Sequence, residues 1–138
     1  MNIIINFWAV LVAAIISLII GSVWYGPLFG KKFMKAMDMD KWTAEQQAKM
    51  KKSMTLDYII QFVASLVMFY ILAWFIGATN QMTVTGGVMI ALLIWIGFIV
   101  PLKLGDALWG GKSILFWIGI SNMLITLVIV GAVIGAWK

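Results

Sequence analysis

The sequence predicts an all-α polytopic membrane protein, four transmembrane helices with an amphipathic loop between the first and second. Three observations carry this reading: four long apolar runs, a charged fraction of only 11% where soluble domains hold about 25%, and lysines gathered on one side of the spans. The runs are Ile3–Trp24, Tyr58–Gly77, Gly86–Leu104 and Ser113–Trp137. As helices, each falls within the roughly 17–25 residues that cross a hydrocarbon core of about 30 Å. Hydrophobic residues make up 64% of the chain, and mean hydropathy is +1.06. No stretch outside the spans could bury a core of its own, so residues 1–138 are expected to form one domain.

The first run has no basic segment before it and no small-residue cleavage pattern after it, so it reads as a retained span and not a signal peptide. Ala9, Ala13, Ser17 and Gly21 recur along it at successive fours. Small residues at that spacing let helix backbones approach closely, the main source of packing where hydrophobicity offers no preference.

The connection at 25–57 holds Lys31, Lys32, Lys35, Lys41, Lys49, Lys51 and Lys52. Lys103 and Lys112 flank the third connection, whereas the second has none and the tail has only Lys138. The positive-inside rule then makes 25–57 cytoplasmic and both termini external, in a prokaryotic-type inner or plasma membrane. Within this loop Pro27 suits the first position of a helix. Phe29, Phe33 and Met37 at successive fours predict a short helix lying in the headgroup region. Thr43-Ala44-Glu45-Gln46 fits a capping box, and the helix it opens can run unbroken into the second span. Anionic lipid headgroups are the expected partner of the lysines. Nucleic acid is not, since the chain has no arginine for bidentate contacts to phosphates and bases.

The second span carries Asp57, Gln61 and Ser65 on one face, from the inner interface toward mid-membrane. In the third, Pro101 cannot donate to the carbonyl of Gly97, which favours a kink, and Lys103 and Asp106 follow on the inner side. The fourth offers Ser121, Asn122 and Thr126, then Gly131 and Gly135 as a second small-residue stripe. The expected site is a polar, inward-opening cavity formed by Asp57, Gln61, Ser65, Lys103, Asp106, Asn122 and Thr126. The plainer alternative is an ion pair of Asp57 with Lys103 that fixes helix packing. Trp24, Tyr25, Tyr58 and Trp109 suit the inner aromatic belt, and Trp8, Trp74 and Trp137 the outer one. Trp95 and Trp117 lie deeper and are expected to pack.

Cysteine and histidine are absent, which removes the usual ligands for zinc, haem and iron–sulfur clusters. Met34, Met37 and Met39 would be the thioether donors of a copper(I) site, but Met37 belongs to the apolar face just described and no Cys or His supports them. No metal or cofactor is expected. With no nucleophile–base pair in view, neither is catalysis.

The segment Gly21-Ser22-Val23-Trp24-Tyr25-Gly26-Pro27-Leu28-Phe29-Gly30-Lys31 resembles the signature of the domain of unknown function 1761 family. Trp95-Ile96-Gly97-Phe98 and the closing Gly131-Ala132-Val133-Ile134-Gly135-Ala136-Trp137 are similar to later segments of the same family. The resemblance spans essentially the whole chain. It implies a small four-span membrane protein and brings no established activity, so no functional residue is carried over. The expected function is an oligomeric channel or transporter with an inward-facing polar cavity. A non-catalytic accessory subunit packing through Ala9, Ala13, Ser17, Gly21, Gly131 and Gly135 is the alternative. Either would favour a homo-oligomer.

Overall fold

The computed structural model describes residues 2–137; Lys138, counted above for the tail, lies outside them. The elements run α1 (Phe7–Val23), a π-helical turn (Trp24–Leu28), α2 (Gly30–Ala36), a 3₁₀ turn (Met39–Lys41), α3 (Ala44–Ala78), α4 (Val84–Ile94), a second π-helical turn (Trp95–Ile99), α5 (Val100–Gly110) and α6 (Ser113–Ala136). They make four apolar spans: Phe7–Leu28, Ala44–Ala78, Val84–Gly110 and Ser113–Ala136. Large side chains such as Leu102, Phe98, Leu108 and Trp109 are exposed. So much bare apolar surface suits lipid and not water.

Local chemistry explains the boundaries, including those the sequence reading placed differently. α1 starts at Phe7 and not Ile3, because the side chain of Asn6 accepts the N–H groups of Trp8 and Ala9 at 3.0 and 3.3 Å. Pro27 does not open a new helix. It sits inside the first π turn, where Phe29 N–H donates across five residues to the Trp24 carbonyl at 2.9 Å. A proline supplies no N–H for the usual bond, and one wider turn absorbs that loss without ending the helix. The short helix starts instead at Gly30.

Pro101 has the same effect on the third span. The kink expected there takes the form of the second π turn, with Val100 N–H reaching back to the Trp95 carbonyl. The capping box at Thr43 forms as expected. Gln46 N–H donates to Thr43 Oγ1 at 3.3 Å, and Thr43 N–H donates to Gln46 Oε1 at 2.9 Å. From it α3 runs 35 residues without a break.

The core lies toward the end of the bundle that holds the two termini. Ala9, Val10, Ala13 and Ala14 of α1 meet Phe69, Leu72, Ala73 and Ile76 of α3 there, with Ala91 of α4 and Leu127, Val130 and Ile134 of α6. α6 is the central post, packed against α1, α3, α4 and α5. Its tightest partner is α4, which runs antiparallel to it. A methyl group placed on Gly87 would strike the Gly131 carbonyl, and one on Gly135 the Thr83 carbonyl. On Gly131 it would lie 2.8 Å from Ala91 Cβ. Thr83, Gly87 and Ala91 thus form a small-residue row facing Gly131 and Gly135. Toward the lysine-rich end packing thins, and a side chain added at Gly21, Gly97 or Gly105 would meet nothing within 4 Å.

Candidate functional site

The polar side chains of the spans fall into two groups, one satisfied inside the bundle and one facing out. The inner group gathers around α6 near the lysine-rich end. Trp24, opening the first π turn, donates its indole N–H to the Ile118 carbonyl at 3.1 Å and to Ser121 Oγ at 3.3 Å. Trp95, opening the second, donates to the Ile120 carbonyl at 2.9 Å. Carbonyls two residues apart on a helix point to nearly opposite sides, so the two tryptophans grip α6 from both flanks of Gly119. Ser121 Oγ donates within its own helix, to the Trp117 and Ile118 carbonyls at 2.7 and 3.0 Å.

Asn122 links the rest of this group. Its Oδ1 accepts from Thr126 Oγ1 at 3.3 Å, and its side chain lies beside the Tyr25 hydroxyl. Thr126 is buried, as is Ser65 on α3, whose hydroxyl donates to the Gln61 carbonyl of its own helix at 2.9 Å. Among the described residues, no buried side-chain nitrogen or oxygen lacks a partner. Nothing in this cluster therefore requires an internal solute.

The outer group consists of Asp57, Gln61, Lys103 and Asp106, all exposed. Asp57 and Lys103 do not form the pair considered above. The single salt bridge among the described residues joins Lys112 Nζ to Asp38 Oδ2 at 3.8 Å, on the surface. Lys112 also donates to the Ala36 carbonyl, which ties α2 to the start of α6. The seven polar candidates are thus divided: Asn122 and Thr126 meet, Ser65 bonds within α3, and the four others face outward. Two concavities lie away from them. A shallow groove is lined by Trp42, Gln46, Lys49, Met50 and Ser53, and a narrow crevice by Asn6, Ala9, Ala73 and Met82 among others.

Of the packing candidates, Ala9, Ala13, Gly131 and Gly135 are buried, while Ser17 and Gly21 are only partly covered. Trp95 packs inward as its depth suggested, but Trp117 does not and is 62% exposed. Sequence reading missed the bonding roles of Trp24 and Trp95. A signal was present, since each tryptophan lies a few residues before a proline within a span, where a wider turn redirects the ring.

Replacing Trp24 or Trp95 by phenylalanine should cost about 0.6 kcal/mol each, the mean for interhelical hydrogen bonds in membranes, and at most about 1.7. The acceptor carbonyls keep their helical partners, which holds the cost low. Thermal unfolding in detergent checks this; a loss of several kcal/mol from either change would mean that the ring's packing dominates its bond.

No curated protein and no solved structure matches the chain. A protein family described as "Protein of unknown function (DUF1761)" matches it over residues 8–135. The protein is therefore a member of the DUF1761 family.

Proposed function

We propose that the protein is the subunit of a homo-oligomeric channel or transporter whose polar path runs between chains. The observation that carries this reading is Gln61. It is exposed within the span, on a stretch of α3 that also exposes Tyr58, Ile60 and Val63. Its amide has two donors and an acceptor that lipid cannot satisfy. A second copy of the same face can. The polar groups inside one bundle are already paired with each other, which favours a subunit boundary for any wet path. A ring of Asp57 carboxylates one turn nearer the lysine-rich end would favour cations there.

In this reading the lysines anchor the cytoplasmic end to anionic headgroups, with both termini outside. The accessory-subunit reading draws on Ser17 and Gly21, whose partly covered helix face leaves room for a helix from another protein.

The chain has no cysteine, so a single Gln61→Cys variant tests the interface cleanly. Oxidation in native membranes should give a covalent dimer, and Gln61→Leu should reduce cation flux through proteoliposomes by about tenfold while the protein stays folded. If Gln61→Cys stays monomeric and Gln61→Leu conducts like the wild type, the proposal is wrong. Crosslinking of Gly21→Cys to a different protein, with no homodimer, would favour the accessory reading.

A further inference from the structure

Helix α2 is held to the bundle by very little of itself. Of its seven residues only Gly30 is buried, close against the first π turn, where an added methyl would lie 2.8 Å from the Tyr25 carbonyl oxygen. Phe33 adds an edge-on contact with the Tyr25 ring, the centroids 5.0 Å apart. Lys31, Lys32, Met34 and Lys35 are all exposed. A helix this short is not stable alone in water, because it forms too few internal bonds to offset the cost of nucleation. Its persistence depends on what grips its far end.

That grip is Lys112. Its ammonium donates to the carbonyl of Ala36, the last residue of α2, at 2.6 Å and stands 3.8 Å from Asp38 Oδ2 just beyond. The Phe33 and Lys35 carbonyls take the backbone N–H groups of Met37 and Asp38, so the lysine serves a helix-end acceptor that the backbone leaves over. A cation there also meets the negative end of the helix dipole. The backbone is shaped for this contact on both sides. Asp38, at φ 56°, and Gly111, at φ 72° and next to Lys112, are two of the three described residues in the left-handed region.

The clasp is open to solvent, with Lys112 44% and Asp38 64% exposed. Sodium chloride screens a contact of this kind but does not weaken apolar packing. We infer that α2 is a strap clasped to the start of α6 by Lys112, and that ionic strength at the lysine-rich end sets how often it opens. The pivot is the first π turn, where Gly26 has open space around it. Opening uncovers the Tyr25 ring and the part of α6 on which α2 packs. One chain is enough for this, so the inference does not rest on the transport reading.

Amide hydrogen exchange of the full chain in a non-ionic detergent, read by mass spectrometry, reports the opening. The segment 30–37 should exchange several-fold faster as sodium chloride rises from about 0.01 to about 1 M, over which the Debye length falls from about 30 to about 3 Å. At low salt Lys112→Gln should speed exchange there about tenfold, the equivalent of one hydrogen bond to a charged group. It should also remove most of the salt dependence. Asp38→Asn, which keeps the Ala36 bond, should fall between the two. Exchange along α4 and α6 should match the wild type in both variants, which separates opening of the strap from general loosening. The inference is overturned if the wild-type segment exchanges equally at low and high salt, if Lys112→Gln exchanges like the wild type, or if Lys112→Gln speeds α4 and α6 as much as α2.

Discussion

Replacing Gly131 by leucine is expected to prevent formation of the native bundle. The added carbon would fall among the Gly87 carbonyl and Ala91 Cβ, both part of the facing helix and unable to rotate away. Relief requires α4 and α6 to separate, and that breaks contacts along the whole row from Thr83 to Gly135. Overpacking a rigid site usually costs about 1–3 kcal/mol, and more where backbone blocks relaxation. Here the obstacle on one side is backbone, so the upper range applies. Gly87→Leu should behave alike from the opposite side. Gly105→Leu, which meets open space, should not. Size-exclusion profiles and melting in detergent would separate the three. A monodisperse Gly131→Leu protein melting near the wild type would show that the α4–α6 seam is not required for folding.

The second large effect is expected from Phe69→Ala. Phe69 is only 1% exposed and is the largest fully buried side chain, set where α3 meets the core. Deleting a buried phenylalanine typically costs about 3–5 kcal/mol through lost contacts and residual cavity. Phe98, 72% exposed on the second π turn, supplies the control. Its truncation leaves no cavity, because lipid can fill the space, so Phe98→Ala should stay within about 1 kcal/mol. Unfolding of both variants in mixed micelles tests the contrast, and equal losses would contradict the placement of the core on the α1–α3 side.

The membrane class and the four spans were legible because they depend on length, apolarity and charge, properties that survive without a neighbour. The capping box at Thr43 was legible for the same reason: both of its bonds lie within four residues. Gly131 and Gly135 could be seen as a stripe, but their partner row of Thr83, Gly87 and Ala91 could be matched to it only once α4 and α6 were known to be antiparallel neighbours. Polar residues proved harder still. Asp57, Gln61 and Ser65 share a spacing of four, yet they lie where the core gives way to open surface, so Ser65 is buried and the other two exposed. Whether such a residue meets protein or lipid depends on how far its neighbours reach, which helical periodicity does not encode. Tyr25 read as a belt residue because its nearness to Asn122 crosses nearly a hundred positions of chain. The proline-induced turns that aim Trp24 and Trp95 at α6 redirect side chains without changing hydropathy, so a pattern of apolar residues could not register them.

The unbroken length of α3 has a mechanical consequence. At about 1.5 Å per residue its 35 residues extend roughly 52 Å, well beyond a hydrocarbon core of about 30 Å. It contains no proline, and its one glycine is Gly77 at the far end, whereas the first and third spans each change pitch at a π turn. The helix therefore acts as a stiff lever. Its basic arm, from Lys49 to Lys52, projects past the bundle, and its fulcrum is the contact around Phe69 and Ile76. With no hinge between them, the arm and the stretch holding Asp57 and Gln61 form one rigid rod, so a load on the arm would reach those side chains undiminished.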